Sequence, residues 1–101
     1  MKTYAGARTI DGIKVTVDGQ PLTEGYGIRR FTTTGFEWTY EGGEPRQLAL
    51  ALLADHLGDG ERALALSEPF MKLVIADMDN DWVLNSGDID AALERMSEPD
   101  S

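Results

Sequence analysis

Apolar and polar residues alternate along the first part of the chain. Between positions 13 and 18 every second residue is apolar, which predicts a β-strand with one buried face. The dipeptide Asp18-Gly19 follows at once and favours a tight hairpin turn, because both residues accept positive φ angles. Residues 2–9 are predicted as the partner strand, joined to the first through a short turn at Asp11-Gly12. The chain therefore opens as a β-meander.

A second alternating segment carries aromatic residues. Phe36, Trp38 and Tyr40 alternate with polar residues, so a strand here places three rings on one face of the sheet. We expect this aromatic face to form core against a following helix rather than a platform on which bases stack.

The helical part of the chain begins after a glycine pair at positions 42 and 43. Pro45 suits the first position of a helix, because its missing N–H has no partner there. Positions 48–57 read LALALLADHL, apolar on nearly every side, so this helix is expected to lie between the sheet and other helices. Gly58 is predicted to end it.

A second and a third helix are predicted downstream. Asp59 is placed to cap the second helix. Pro69 should kink that helix, or split it into two short helices with Ser67 capping the second. Residues 82–84 form a short extended piece, and Asn85 or Ser86 opens the last helix.

Together these patterns predict a single α+β domain spanning residues 1–101. Its small antiparallel sheet of three or four strands comes from residues 2–41 and packs against three or four helices. A length of 101 residues agrees with one domain, because two domains would each have a marginal core. The tail, 97–101, is expected to fray.

Composition restricts the classes of function. No run of the chain approaches the roughly 20 apolar residues that a membrane-spanning helix needs, and the N-terminal stretch has no secretory pattern, so we expect a soluble protein of the cytoplasm. The absence of cysteine removes disulfides, thiolate nucleophiles and sulfur-based zinc sites. A net charge of -9 disfavours direct binding of nucleic acid and favours basic partners.

The negative charge is concentrated near the C-terminus. Residues 1–75 hold ten acidic and eight basic side chains, a net charge of -2. Residues 76–101 hold eight acidic side chains and one basic side chain, a net charge of -7. The candidate partner-binding residues are therefore the acidic residues of this region, Asp77, Asp79, Asp81, Asp88, Asp90 and Glu94.

The same region has a spacing typical of calcium loops. Counted from Asp77, side-chain oxygens fall at positions 1, 3, 5, 9 and 12 of a twelve-residue loop, the last at Asp88. Position 6 is Trp82, where such a loop uses glycine for a sharp turn with positive φ. The alternative is that Trp82 packs into the core on a short strand while the aspartates are solvated, with Asp88 near a helix N-terminus.

The remaining polar residues do not form a recognisable catalytic set. His56, the only histidine, falls near the C-terminal end of the first helix, where a structural or exposed role is expected. The serines fall at caps or in the tail, and no glycine-rich stretch has a phosphate-binding pattern. We therefore expect no enzymatic activity, no catalytic residue and no cofactor.

Three arginines form the basic feature of the chain: Arg29, Arg30 and Arg46. They either lie beside the aromatic strand as a nucleic-acid patch, or pair with the glutamates of residues 37–44 on the polar face of the sheet. The excess of carboxylates favours the ion pairs.

Several of these motifs together resemble a small uncharacterised family, domain of unknown function 6166. Residues 34–38 (TGFEW) lead through a tyrosine and a glycine pair into Pro45, Gln47 and the pattern LALALLADHLGD. The opening Tyr4-x-Gly6 and the later Trp82 are also similar to that family. The resemblance implies a short stand-alone protein of prokaryotes and their mobile elements, without an assigned activity. The chain departs from the pattern after Trp38, where Thr39 and Glu41 stand at positions often occupied by glycine.

These observations lead to an expected function. The protein is expected to be a mobile-element accessory protein that inhibits a host nucleic-acid-binding defence complex, in the manner of an anti-CRISPR or anti-restriction inhibitor. Its acidic C-terminal region would compete for a basic groove on that complex. Two alternatives stay open: a calcium-binding module that uses the Asp77–Asp88 loop, and a housekeeping protein-interaction domain that forms a homodimer.

Overall fold

Three strands come first along the chain, followed by two helices, a fourth strand and a last helix. The computed structural model describes residues 2–33 and 35–97. The strands are β1 (Thr3–Thr9), β2 (Gly12–Val17), β3 (Gln20–Pro21) and β4 (Trp82–Asn85). The helices are α1 (Gly43–Leu57), α2 (Gly60–Leu73) and α3 (Ser86–Ser97), with a 3₁₀ turn at Ile75–Asp77. This arrangement confirms the predicted α+β class. Within the described ranges, no helix has the length and apolar character needed to cross a membrane.

The four strands form one antiparallel sheet in the order β3-β2-β1-β4. The predicted turn joins β2 to β3, with φ angles of 50° at Asp18 and 84° at Gly19. On the side away from β2, β1 pairs with β4, which follows α1 and α2 in the chain. In this pairing Trp82 lies opposite Gly6. The sequence pattern placed the whole sheet within residues 2–41, and this part of the prediction is wrong because β4 lies outside that range.

The aromatic segment 36–40 is not a strand, and that prediction is wrong. Thr39 has a φ of 80°, which interrupts extended backbone. Trp38 is fully buried, and its Nε1 donates to the carbonyl of Asn80 at 3.2 Å, whereas Tyr40 is 44% exposed. The rings therefore do not share one face, because the backbone turns between them.

The first helix, α1, is buried on nearly every side, as its sequence predicts. Residues 48–53 are at most 2% exposed, and the core joins them to Tyr4 of β1 and to α2. The helix begins at Gly43, two positions before the predicted Pro45. Pro45 still lies in the first turn, where a missing N–H breaks no helical hydrogen bond. The helix ends before Gly58, as predicted.

The second helix, α2, continues through Pro69 as one helix. Asp59 caps it, because its Oδ1 accepts a hydrogen bond from the N–H of Arg62 at 3.2 Å, and this confirms the predicted cap. The alternative of two short helices is wrong. Ser67 is buried in mid-helix, where its Oγ donates to a carbonyl in the preceding turn and accepts from Nε of Arg46 at 3.0 Å.

The last helix, α3, begins with a reciprocal cap. Oδ1 of Asn85 accepts from the N–H of Asp88 at 2.8 Å, and Oδ2 of Asp88 accepts from the N–H of Asn85 at 3.0 Å. This confirms the predicted start of the helix and the extended piece before it. Of the tail expected to fray, Ser97 ends α3, and residues 98–101 lie outside the described part of the chain.

One buried side chain attaches the long connection between β3 and α1, residues 22–42, to the helix. Gln47 is fully buried on α1. Its Oε1 accepts from the N–H of Phe31 at 2.7 Å, and its Nε2 donates to the carbonyls of Glu24 and Arg29 at 2.6 and 3.1 Å. Because one amide satisfies three backbone groups, its position on α1 fixes the path of the connection.

A close contact between β1 and β4 fixes the position of Trp82. The indole lies directly over Gly6, and a Cβ added to Gly6 would lie 2.4 Å from its ring atoms. On the other side, Trp82 packs edge-on against Trp38, with ring centroids 5.7 Å apart. Only glycine at position 6 leaves room for this packing.

Replacing Gly6 should therefore strain the core. We expect Gly6→Ala to lower the free energy of unfolding by about 1–3 kcal/mol, the usual cost of overpacking, as measured by urea denaturation. Gly27→Ala is the matched control, since no atom lies within 4 Å of a Cβ added there. Equal stability of the two variants would contradict the contact.

Removing the Gln47 amide should free the connection 22–42. We expect Gln47→Leu, which has a similar volume, to cost about 1–3 kcal/mol for each backbone group left without a partner. Hydrogen exchange should accelerate at Phe31, whose N–H loses its acceptor. The control is Gln20→Leu on the exposed β3, which should change neither quantity. Unchanged exchange in the Gln47 variant would show that other contacts hold the connection.

Candidate functional site

All six acidic residues predicted to bind a partner lie at the surface. Each of them is exposed to solvent: Asp77, Asp79, Asp81, Asp88, Asp90 and Glu94. Charged groups at such positions keep their hydration and remain available to an incoming partner. The structure therefore gives this region a solvent-facing negative surface.

Strand β4 divides these residues into two groups. The loop group, Asp77, Asp79 and Asp81, precedes β4, and the helix group, Asp88, Asp90 and Glu94, follows it on α3. A strand of four residues spans about 13 Å, so the groups lie toward opposite ends of β4. The structure thus separates the loop group from the helix group along β4.

The two groups also differ in how their charges are used. Among the described residues, no carboxylate of the loop group has a cationic partner within ion-pair distance. In the helix group, Oδ1 of Asp90 lies 2.6 Å from Nε2 of His56, a contact that ties α3 to α1. Asp88 is occupied by the cap of α3. Glu94, like the loop group, has no cationic partner in the described part of the chain.

The Asp77–Asp88 segment does not adopt the conformation of a calcium-binding loop. Trp82 begins β4 and is buried, and Asp88 uses its carboxylate to cap α3. Over residues 2–33 and 35–97, no group of three or more histidine or acidic side chains is placed to hold a metal. These observations favour the alternative in which the tryptophan packs into the core and the aspartates are solvated.

Arg8 is a contact residue that sequence reasoning missed. Its Nη1 donates to Oε1 of Glu37 at 2.6 Å, and its Nε donates to Oδ1 of Asn80 at 3.2 Å. The guanidinium also lies over the ring of Trp38, 4.8 Å from the centroid. Arg8 therefore attaches the segment that carries the loop group to β1. Its position on β1 could have indicated this contact. Arg8 lies two residues beyond Gly6 and therefore on the same face of the strand.

The three arginines of the predicted basic feature pack over rings of the connection 22–42. Arg29 and Arg46 lie over Phe31, with guanidinium-to-centroid distances of 5.9 and 4.2 Å. Arg30 lies 4.2 Å from the ring of Tyr26. Stacking of this kind holds each cation against the surface. A patch beside Trp38 or Tyr40 does not form.

The ion pairs of this region also differ from the prediction. Arg46 pairs with Glu68 of α2 at 3.7 Å, and Glu37 is bound by Arg8 instead. No carboxylate lies within ion-pair distance of Arg29 or Arg30 among the described residues. The basic surface therefore lies on the connection, apart from the acidic groups that flank β4.

A buried polar contact links the sheet to α1. The hydroxyl of Tyr4 donates to Oδ2 of Asp55 at 2.7 Å, and Nζ of Lys2 lies 3.1 Å from the same oxygen. Burial raises the pKa of Tyr4 well above its ordinary value, and the hydrogen bond to Asp55 and its negative charge raise the pKa further. This cluster holds a proton firmly and lies between the sheet and α1.

The face of the sheet turned away from the helices carries an open groove of about 520 Å³. Small side chains line it, Ala5 and Ala7 of β1 and Thr16 of β2, with Val83 of β4 at one side. Asp81 of the loop group also lines the groove. Sequence reasoning missed this feature, because alternation alone assigns the face to solvent without showing its shape.

A family model matches residues 4–95, a range that contains all six acidic residues. The chain belongs to DUF6166. The description of DUF6166 is a family of unknown function, and it assigns no activity. Comparisons with curated proteins and with solved structures found no significant match. In this DUF6166 chain, the motif from Gly42 to Gln47 forms the first turn of α1 and the anchor of the connection 22–42.

The raised pKa of Tyr4 predicts a stability change in alkali. The unfolded state loses the Tyr4 proton near its ordinary pKa of 10.0, whereas the folded state keeps it, so the stabilisation is present below that pH and is lost above it. Between about pH 10 and 12, Tyr4 should lower the free energy of unfolding by about 1.4 kcal/mol per pH unit.

Urea denaturation across this range, compared with Tyr4→Phe, measures that slope. The variant should lose the contribution of this one proton while keeping the contributions of other groups. Tyr26→Phe is the control, because the Tyr26 hydroxyl has no hydrogen bond within the described ranges. The same slope in wild type and Tyr4→Phe would rule out the proposed linkage.

Proposed function

We propose that this protein is a non-enzymatic acidic binding protein that occupies a basic, nucleic-acid-binding surface of a partner protein and excludes nucleic acid from it. The observation that carries the proposal is the solvent exposure of the six carboxylates that flank β4. Four of them have neither a cationic partner nor a role in a helix cap in the described part of the chain: Asp77, Asp79, Asp81 and Glu94. Their charge is available to a partner without first breaking an ion pair.

The negative charge of this surface favours a basic partner. Unpaired carboxylates at the surface of a protein with a net charge of -9 attract a basic surface over about a Debye length and accelerate encounter. The same charges repel phosphate, so a basic groove covered by this surface is closed to nucleic acid. Affinity should therefore fall as salt concentration rises.

The two acidic groups define the shape of the proposed contact. Because the loop group and the helix group lie toward opposite ends of β4, a single basic side chain of the partner cannot contact both groups. A partner groove that contacts both groups needs basic side chains distributed along its length. Nucleic-acid grooves have this property, since they follow a backbone of repeating charge.

The proposal includes a biological setting. The protein would act in the cytoplasm of a prokaryotic host as an accessory protein of a mobile element, against a defence complex that holds nucleic acid. Inhibitors of the anti-CRISPR or anti-restriction type act on such complexes. The DUF6166 membership neither adds nor removes an activity, so the support comes from charge and exposure.

Neutralising the unpaired carboxylates should weaken capture of the partner. We expect Asp77→Asn, Asp79→Asn, Asp81→Asn and Glu94→Gln, combined in one variant, to weaken binding by tenfold or more, about 1.4 kcal/mol. The matched control carries the same charge change on other exposed residues, with Asp11→Asn, Glu24→Gln, Glu41→Gln and Glu61→Gln. The control should bind almost as well as wild type.

The measurement has two steps. Affinity capture from a host lysate at about 50 mM salt, with release at about 500 mM, identifies basic proteins held by charge. Each captured protein is then purified, and displacement of its labelled nucleic acid by wild type and by both variants is measured. The proposal fails if no basic nucleic-acid-binding protein is retained, or if the site variant displaces nucleic acid as well as the control does.

A further inference from the structure

The sheet has two edges, and they differ in their capacity to accept another strand. The edge formed by β3 is two residues long and contains Pro21, which has no N–H to donate. The edge formed by β4 pairs with β1 on one side, and no strand of the described residues pairs with it on the other. The second edge is therefore the available one.

The register shows which groups of β4 point outward. The N–H of Ser86 donates to the carbonyl of Lys2 at 3.0 Å, so the alternating antiparallel pattern directs the ladder bonds of Leu84 and Trp82 toward β1. The N–H and C=O of Val83 then point away from β1. The N–H of Asn85 also points away, but Asp88 already accepts it.

The side chains at this edge form the wall of the groove on the outer face of the sheet. Val83 is 67% exposed, and it stands beside the small Ala5 and Ala7. Asp81 lies two residues earlier on the same face of the strand. Lys14, the cation that also lines the groove, lies on β2, about 10 Å from β4 across the sheet.

Charge selects the occupant of this edge. Asp79 and Asp81 precede the exposed Val83, and neither has a cationic partner among the described residues. A second copy paired antiparallel about Val83 would bring Asp81 of each copy opposite Asn85 of the other, at the start of the acidic helix α3, and each copy carries a net charge of -9. Like charges this close disfavour a dimer, whereas lysine or arginine side chains complement them.

We propose that the edge of β4 binds an extended basic segment of a partner protein as a fifth strand. Main-chain hydrogen bonds to Val83 hold the segment, and its apolar side chain opposite Val83 packs against the exposed valine at the wall of the groove. A basic side chain two residues away lies opposite Asp81, because alternate residues of a strand share a face. This inference rests on the proposed function and specifies the segment of the acidic region that makes the contact.

A short peptide tests the proposal directly. The probe is a labelled, end-blocked peptide of sequence Thr-Lys-Thr-Val-Thr-Lys-Thr, in which valine and both lysines share one face of a strand. We expect salt-sensitive binding, observed as fluorescence anisotropy. Backbone amide shifts should change at Asp81 and Val83, and the Val83 amide should become protected from hydrogen exchange.

Two modified peptides separate strand addition from simple charge attraction. N-methylation of the central valine keeps both charges but removes the main-chain donor, and it should weaken binding about tenfold. Replacing both lysines by glutamate should abolish binding. If the N-methylated peptide binds as tightly as the parent, or if Val83 stays unprotected, the strand-addition proposal is wrong.

Variants of the edge complete the test. Val83→Lys places a cation at an exposed position, so it should fold normally and lose binding about tenfold. Val83→Thr keeps a branched side chain with the same backbone groups and should retain binding. Urea denaturation of both variants shows whether either one is unfolded.

The outcomes separate this inference from the proposed function. Loss of capture in the carboxylate variant, together with unaffected binding by Val83→Lys, would overturn the strand addition and leave the acidic surface as the binding site. Absence of any salt-sensitive capture from the lysate would remove the proposed function itself. Peptide binding that changes the oligomeric state would identify the edge as a contact between copies and would also overturn the inference.

Discussion

The buried amide of Gln47 is the interaction on which the helical side of the structure depends. A connection without regular structure must satisfy its backbone groups somewhere, and three groups of residues 22–42 do so on this one side chain. The glycine at the start of α1 serves the same contact, because a Cβ on Gly43 would lie 2.6 Å from the carbonyl oxygen of Phe31. The residues from Gly43 to Gln47 are therefore explained by packing: glycine permits the approach, and glutamine supplies the hydrogen bonds.

The acidic surface is positioned by apolar packing. Trp82 lies between Gly6 and the buried Trp38, and this contact sets where β4 begins. Arg8 covers Trp38 and holds Asn80, so the chain just before β4 is attached on two sides. The carboxylates of the loop group can remain unpaired because other contacts hold this segment. Asp88 and Asp90 of the helix group, by contrast, contribute a cap and a contact with His56.

Local signals in the sequence predicted the elements that depend on nearby residues. The turn at Asp18-Gly19, the buried α1 and the cap at Asp59 all form, because each is decided within a few positions. The aromatic segment failed for the opposite reason: Trp38 is held by residues far along the chain, and the backbone bends at Thr39 to allow this. A threonine rarely adopts a positive φ, so the residue at position 39 gave no local sign of that bend.

The candidate site was predictable in part for the same physical reason. Exposure of the six acidic residues follows from the cost of burying charge, which acts at each residue independently. Their separation by β4 and the groove beside Val83 depend on strand pairing, which alternation alone does not determine. That pairing also has a consequence for biosynthesis: as the chain leaves the ribosome, the first hairpin is complete long before its neighbour Trp82–Asn85 exists. Until then one side of β1 stays unmatched, so nascent chains are most exposed to aggregation during translation of the helices.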